Sequence, residues 1–471
     1  MENTDKKRSK ALIVGTLIYA IGNFGTKILS FIIVPLYTYY ITPADLGDYD
    51  LVLTTVSLLT PLLTLQITDA AYAWMIRKQD ESKEYIMSVY KFMIATVALS
   101  SAIILAINVF VPILYCYYFI ALLLCGRVFG VLQKLLRGLK NQKLFAISGV
   151  VYTTIFLLLN LLQIVVLHQG VTSLFQSSII AYCASTVLIL ICEKRLRFFS
   201  LKLGKKSTVK DMLKFSTPLV PNQLSWWMIN SSDRYIVRFF LGGVANGIYS
   251  ISYKFPSLLQ LIFNVFYESW QDMTLTDTDQ DAGSYYGKVF RLYYKLAFAF
   301  LVFLIPFTKI FIRVFMSQDY ITSANYISFL YLGTVFQAFS SFFGIGYLKN
   351  NKTKQIAYTS LIGAICNAVV NIILINFWGL HAASVSTFVG FFVMFIIRVI
   401  QTKSIMKIEV NKLSFSVLFI VALVSSIIGT FSDMRLDIIC MIIGFIFFIV
   451  YNFREIMSIL KLVKRRLHRN G

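Results

Sequence analysis

Apolar segments of about twenty residues, the length that crosses a bilayer as a helix, recur about fourteen times along this chain. No other feature constrains its fold as tightly. Lipid offers the backbone no hydrogen-bond partners, so each segment must satisfy its own N–H and C=O groups as a helix. Hydrophobic residues make up 58% of the 471 positions and charged residues 14%, against roughly 25% charged in an ordinary soluble domain. The expected spans cover 11–41, 48–76, 85–109, 112–139, 143–167, 172–193, 215–241, 247–272, 288–315, 322–348, 354–377, 380–401, 413–431 and 436–458. The fold class that follows is an all-α polytopic membrane protein.

A net charge of +22 raises the question of nucleic acid, and its distribution answers it. Lysine and arginine collect in every second connection, around Lys6 to Lys10, Arg77 to Lys83, Arg137 to Lys143, Lys194 to Lys214, Lys349 to Lys354, Lys403 to Lys412 and Lys461 to Arg469. The intervening turns, near Pro43, Val109, Gln169, Gly243, Asp319, Gly379 and Ser432, are nearly free of them. That is the positive-inside pattern. It puts both termini in the cytoplasm and makes the charge a report of orientation, with no nucleic-acid partner implied. The run Arg195 to Lys206 reads either as a solvated basic loop or as a segment lying against anionic lipid.

The chain also repeats itself. Tyr39-Tyr-Ile-Thr-Pro-Ala-Asp-Leu-Gly-Asp-Tyr49 matches Phe239-Phe-Leu-Gly-Gly-Val-Ala-Asn-Gly-Ile-Tyr249, and Leu139-Lys-Asn-Gln-Lys143 matches Leu348-Lys-Asn-Asn-Lys352. A third, weaker match pairs Asn160 to Val171 with Asn371 to Leu380. The matches recur in order and at equivalent topological positions. They divide the chain into an N-lobe of six spans (1–193), a basic linker (194–214), a C-lobe of six spans (215–401), and two further spans with a basic tail (402–471). Six spans per lobe give both halves one orientation and a pseudo-twofold axis along the membrane normal.

Charges within spans are costly, about 3 kcal/mol or more each, and normally face a bundle interior or an aqueous cavity. Lys27, Arg127, Arg234, Arg238 and Lys254 fall inside spans, which suggests a lining for an anionic ligand, with arginine favoured for bidentate phosphate contact. Arg234 and Arg238 share a helix face; Arg238 equally reads as snorkelling to the outer interface, and Arg127 as the partner of a carboxylate elsewhere. Asp233, Asp69 and Glu268 are the acidic candidates for ion coupling, although Asp69 and Glu268 also suit an interfacial position. Gly22, Gly25 and Pro35 in the first span would bend it and let it hinge as a gate. Asn23, Gln223 and Asn230 could bond sugar hydroxyls, and Trp226, Trp227 and Trp270 could stack on sugar rings.

Other chemistry finds no support. Asp277 to Gly283 places its glycine wrongly for a calcium loop, with Lys288 where glutamate is required. Gly283 to Lys288 is one residue short of a phosphate loop. The three histidines lack metal-ligand spacing, and the six cysteines form no C-x-x-C pair, so neither metal, cofactor nor enzymatic activity is expected.

The first span from Asn23 to Thr38, running into Asp45-Leu-Gly-Asp-Tyr49, resembles the O-antigen and capsule flippases of the multidrug/oligosaccharidyl-lipid/polysaccharide exporter superfamily. Pro218-Leu-Val-Pro221, Ser232-Asp-Arg-Tyr-Ile236 and Gly247 to Lys254 carry the same resemblance, which covers nearly the whole chain. It implies fourteen helices in two lobes around a cationic cavity. It further implies translocation of an undecaprenyl-pyrophosphate-linked oligosaccharide from the inner to the outer leaflet of a bacterial cytoplasmic membrane. Partners would be that lipid-linked oligosaccharide, membrane lipids, a polysaccharide polymerase and a chain-length regulator. Arg234 and Lys254 match positions where such proteins carry cavity charges. A lipid II flippase and a cation-coupled drug or metabolite antiporter are the alternatives.

Overall fold

The computed structural model describes residues 31, 33–197, 204–277, 283–350, 352–455 and 457. No strand occurs among the described residues. The described chain forms two compact units, one from residue 31 to Ser250 and one from Ile251 onward.

In the first unit, helix α1 (33–40) is followed by α2 (Pro43–Thr64), α3 (Ile67–Arg77), α4 (Ser82–Phe110), α5 (Cys116–Gly138), α6 (Gln142–Asn160) and α7 (Thr172–Cys192). The short helix α8 (Lys194–Arg197) and α9 (Lys206–Ser216) precede α10 (220–241). Helix α11 (243–276) begins in the first unit and continues into the second. The second unit then contains α12 (Gly283–Phe315), α13 (Ile327–Lys349), α14 (Thr353–Trp378), α15 (Leu380–Met406), α16 (Lys412–Phe431) and α17 (Met434–Tyr451). Among the described helices, eleven are long and apolar enough to cross a membrane. The expected seventh and eighth spans, α10 and α11, are not among the eleven. The expected first span lies mostly outside the described residues.

Small polar residues at the turns begin these helices, as capping physics requires. The Thr42 hydroxyl accepts from Asp45 N at 3.2 Å and Pro43 occupies the first helical position of α2. Asn141, Asn411 and Asp433 cap α6, α16 and α17 in the same way. At the equivalent place in the repeat, Gly242 stands where Thr42 stands, with φ 86° and ψ −176°. That backbone region is almost exclusive to glycine, so the second copy turns by conformation where the first turns by a side-chain cap.

One expected span is not continuous. Leu65 and Gln66, at φ 43° and 56°, separate α2 from α3 within the segment read as 48–76. Pro61, which withholds one helical N–H, precedes the break, and the groups it frees find partners. Thr64 Oγ1 accepts from Gln66 N at 3.3 Å, and Ser216 Oγ donates to Leu65 O at 2.7 Å.

Beyond the break, α3 packs against α4, α5 and α9 around Ile67, Ala71, Met75, Ile86, Leu135 and Met212, all fully buried. Helix α9 comes from the basic linker; it sinks Met212 into this core while Lys206, Lys210 and Lys214 remain exposed. In the second unit α13 is enclosed by α12, α14, α15 and α16. Its Phe336 and Phe339 meet Phe298, Phe395 and Phe415 at ring separations of 5.3–6.1 Å, a range suited to edge-to-face attraction.

Candidate functional site

The two halves of the repeated motif touch each other. A Cβ on Gly47 would overlap the backbone oxygen of Gly243, and one on Gly247 would overlap that of Pro43. Residues 43 and 47 correspond to 243 and 247 in the repeat, so the contact is reciprocal, as in any interface related by a twofold operation. Glycine permits this backbone approach, and Asn246 Nδ2 donates to Gly47 O at 2.7 Å across it.

This contact lays α10 beside the first turns of α2 and pairs their ions. Arg234 Nε donates to Asp50 Oδ2 at 2.7 Å and Arg234 Nη1 to Asn230 O at 2.9 Å, with both charged residues under a tenth exposed. One turn on, Arg238 Nη2 lies 3.0 Å from Asp48 Oδ1. Asp233 is buried and accepts from Tyr249 Oη at 3.0 Å. Trp227 Nε1 donates to Thr54 O and Ser57 Oγ, and Tyr235 shares a 2.6 Å hydrogen bond with Thr55. Arg234 and Arg238 therefore carry a carboxylate each, from Asp50 and Asp48, two residues that sequence reasoning did not single out. Their spacing of two on one helix beside arginines spaced by four on another was visible, but which helices adjoin was not.

Arg127, on α5, is different. It is 3% exposed. Its Nη2 donates to Thr96 Oγ1 at 2.9 Å and lies 4.0 Å from Met93 Sδ. Nε and Nη1 reach no acceptor among the described residues, and the carboxylate considered as its partner is not there. Asp69 is held by Lys134 Nζ at 2.5 Å, with both side chains about a third exposed or less.

Lys254 and Glu268 are half-buried on α11 in the second unit. Pro35 is half-buried in α1, where its carbonyl accepts from Thr38 Oγ1 at 2.6 Å. Lys27, Gly22 and Gly25 lie outside the described residues. The second unit also holds buried cations that the sequence reading passed over. Lys309 is fully buried, and its Nζ donates to Gly429 O, Ser432 O and Ser432 Oγ and lies 3.6 Å from Asp437 Oδ1. Arg313 pairs with the same carboxylate. Arg398, 1% exposed, donates to Thr359 Oγ1, Ser340 O and Ser360 Oγ at 2.9–3.0 Å. Charge inside an apolar helix was the available signal for all three.

A profile of the polysaccharide biosynthesis protein family matches residues 12–270, more than half of the chain. No curated protein matches the chain. Among solved structures, the lipid II flippase MurJ in an inward closed conformation superposes with a TM-score of 0.67 at 16% identity, covering 94% of this chain and 100% of that one. MATE in the straight conformation gives 0.59 at 15% identity, over 84% and 96% of the two chains. A multidrug resistance MATE family transporter in an outward-facing conformation gives 0.56 at 16% identity, with the same shares of 84% and 96%. The chain therefore belongs to the polysaccharide biosynthesis protein family, as a multi-pass membrane protein that shares its fold with the MurJ flippase and the MATE transporters.

Proposed function

We propose that this protein translocates an undecaprenyl-pyrophosphate-linked oligosaccharide across a bacterial cytoplasmic membrane, with both termini in the cytoplasm, to feed assembly of a surface polysaccharide such as O-antigen or capsule. The family assignment over residues 12–270 carries this reading. The physical need is plain: desolvating a pyrophosphate in hydrocarbon costs many kcal/mol, so a path through the protein must replace the lost hydration. Lys27, Arg127, Arg234, Arg238 and Lys254 are the proposed contacts for the anionic headgroup. The unfilled donors of Arg127 supply the clearest such contact, whereas Arg234 and Arg238 would have to share themselves between substrate and the Asp50 and Asp48 carboxylates. Asp233, buried beside a tyrosine hydroxyl, is the foremost candidate for ion coupling, ahead of Asp69 and Glu268. Gly22, Gly25 and Pro35 would let the first span hinge in an alternating-access cycle. A polysaccharide polymerase and a chain-length regulator would act on the product.

Deleting the gene in its host and identifying lipid-linked oligosaccharides by mass spectrometry tests this directly. Accumulation of the completed undecaprenyl-pyrophosphate repeat unit, with loss of surface polysaccharide, is expected. Accumulation of lipid II would move the substrate to peptidoglycan synthesis. Changed drug sensitivity with no lipid-linked intermediate would overturn the flippase reading in favour of an antiporter.

A further inference from the structure

Cys125, on α5, and Cys183, on α7, bring their sulfurs within 3.6 Å of each other. The two residues are 58 apart in sequence, and both are free thiols. Beside them the helices come close: a Cβ on Gly126 would lie 3.4 Å from the Tyr182 ring. Apolar packing accounts for either cysteine alone. A contact between the two sulfurs adds a chemistry that packing does not need.

Cys183 is exposed and Cys125 half-buried. On α7, the exposed residues Ile180, Cys183, Val187 and Ile191 form one stripe at helical spacing, and the stripe is otherwise apolar, as a surface turned to lipid must be. Val128, one turn beyond Cys125, is exposed on α5. Cys125 is nine residues from Cys116 at the start of α5, and Cys183 is nine from Cys192 at the end of α7. At the rise of a helix, each therefore lies about 14 Å inside its span. The pair faces hydrocarbon at that depth, where a lipid-soluble reagent partitions and a water-soluble one does not.

We propose that Cys125 and Cys183 are a modification site, at which a lipid-soluble hydroperoxide closes a disulfide between α5 and α7. The exposed Cys183 sulfur attacks the terminal peroxide oxygen. The O–O bond breaks and the thiol proton leaves with the alkoxide as an alcohol, which makes Cys183 a sulfenic acid. The Cys125 sulfur then attacks that of Cys183, and the sulfenic hydroxyl departs with the second thiol proton as water. One hydroperoxide is reduced and two thiols are oxidised. The sulfurs need to close by only about 1.5 Å to reach bonding distance, and their contact makes the second step intramolecular. The bond fixes α5 against α7 when the surrounding lipid is oxidised. The site does not depend on which molecule the protein translocates.

The test treats the full-length protein in liposomes with cumene hydroperoxide and, separately, with hydrogen peroxide. Remaining thiols are then alkylated and the peptides read by mass spectrometry. A linked peptide joining Cys125 to Cys183 is expected, formed roughly tenfold faster with cumene hydroperoxide at equal concentration. Cys125→Ala should abolish the link and leave Cys183 as a sulfenic acid that dimedone traps. Cys183→Ala should abolish both products. Phenylarsine oxide, which bridges adjacent thiols, should shield both cysteines from alkylation in the unsubstituted protein, so the test stands even if a variant fails to fold. Full alkylation of both cysteines after either reagent, or links to other cysteines in place of this pair, would overturn the site. Equal rates with the two peroxides would overturn the lipid-soluble oxidant.

Discussion

Both units bury cations in apolar surroundings, but they treat them differently. Among the described residues of the second unit, Lys309 and Arg313 share Asp437, and each guanidinium nitrogen of Arg398 has a hydroxyl or carbonyl acceptor. In the first unit Arg234 is paired with Asp50, while Arg127 keeps two nitrogens unfilled beside a cavity. A buried charge by itself thus marks cost, which structural pairing can offset. An unfilled donor leaves that cost standing. The distinction depends on acceptor geometry and is invisible to hydropathy.

That contrast can be broken by substitution. Asp437→Asn should have the largest effect, because it strands Lys309 at zero exposure together with Arg313. Orphaning a buried ion pair costs about 3–5 kcal/mol, read as a lower unfolding midpoint in detergent. A loss under about 1 kcal/mol would mean that water reaches the cluster. Asp50→Asn should follow at about 3 kcal/mol for the same reason. The double variant Asp50→Leu with Arg234→Leu should recover most of that loss, giving a coupling of about 1–3 kcal/mol. Additive losses would show that the two residues act independently.

Gly242→Ala should cost about 1–3 kcal/mol, the range for forcing a side chain into a glycine-only backbone region. The repeat-equivalent Thr42→Ala should lose only its cap, about 1 kcal/mol. Arg127→Leu should be close to neutral in stability or mildly stabilising, because an apolar replacement removes an uncompensated buried charge. A loss of several kcal/mol would place Arg127 with the saturated cations of the second unit.

The smallest effect concerns pH. Hydrogen bonds from Arg195 at 2.7 and 2.8 Å and from Asn141 at 3.0 Å push the Glu193 carboxyl down to about 2. A depressed carboxyl adds stability above its unfolded value, and that contribution is lost as pH falls toward 2. The wild-type minus Glu193→Gln difference in unfolding midpoint should shrink over that window. A difference independent of pH would show that the latch between α7 and the α5–α6 turn acts without charge. Arg195 is half exposed, so solvent screening keeps the effect modest.

Much of the fold was legible because lipid is an exacting solvent. From α4 to α7, helix ends fall within about four residues of the expected limits, once the π-helical turn Leu161–Val166 that continues α6 is included, since each run of apolar residues must close its own hydrogen bonds. Gly47 and Gly247, matched to each other in sequence, lie where those two matching segments meet. The break in α2–α3 was not legible: Leu65 and Gln66 are ordinary helix formers made left-handed by partners such as Ser216, 151 residues away. The site was legible only as a set of charged residue types. Arg127, Arg234 and Arg238 drew attention alike, yet their surroundings differ because Asp48 and Asp50 reach two of them and nothing described reaches all of the third.

Composition and order alone therefore settle the solvent, the helical class and the family, because these depend on hydropathy summed along the chain and on local resemblance. Which buried cation is neutralised, where a span breaks and where a cavity opens depend on acceptors far away in sequence coming within 3 Å or failing to do so. Hydrogen bonds act over that distance, and only the packed chain specifies it.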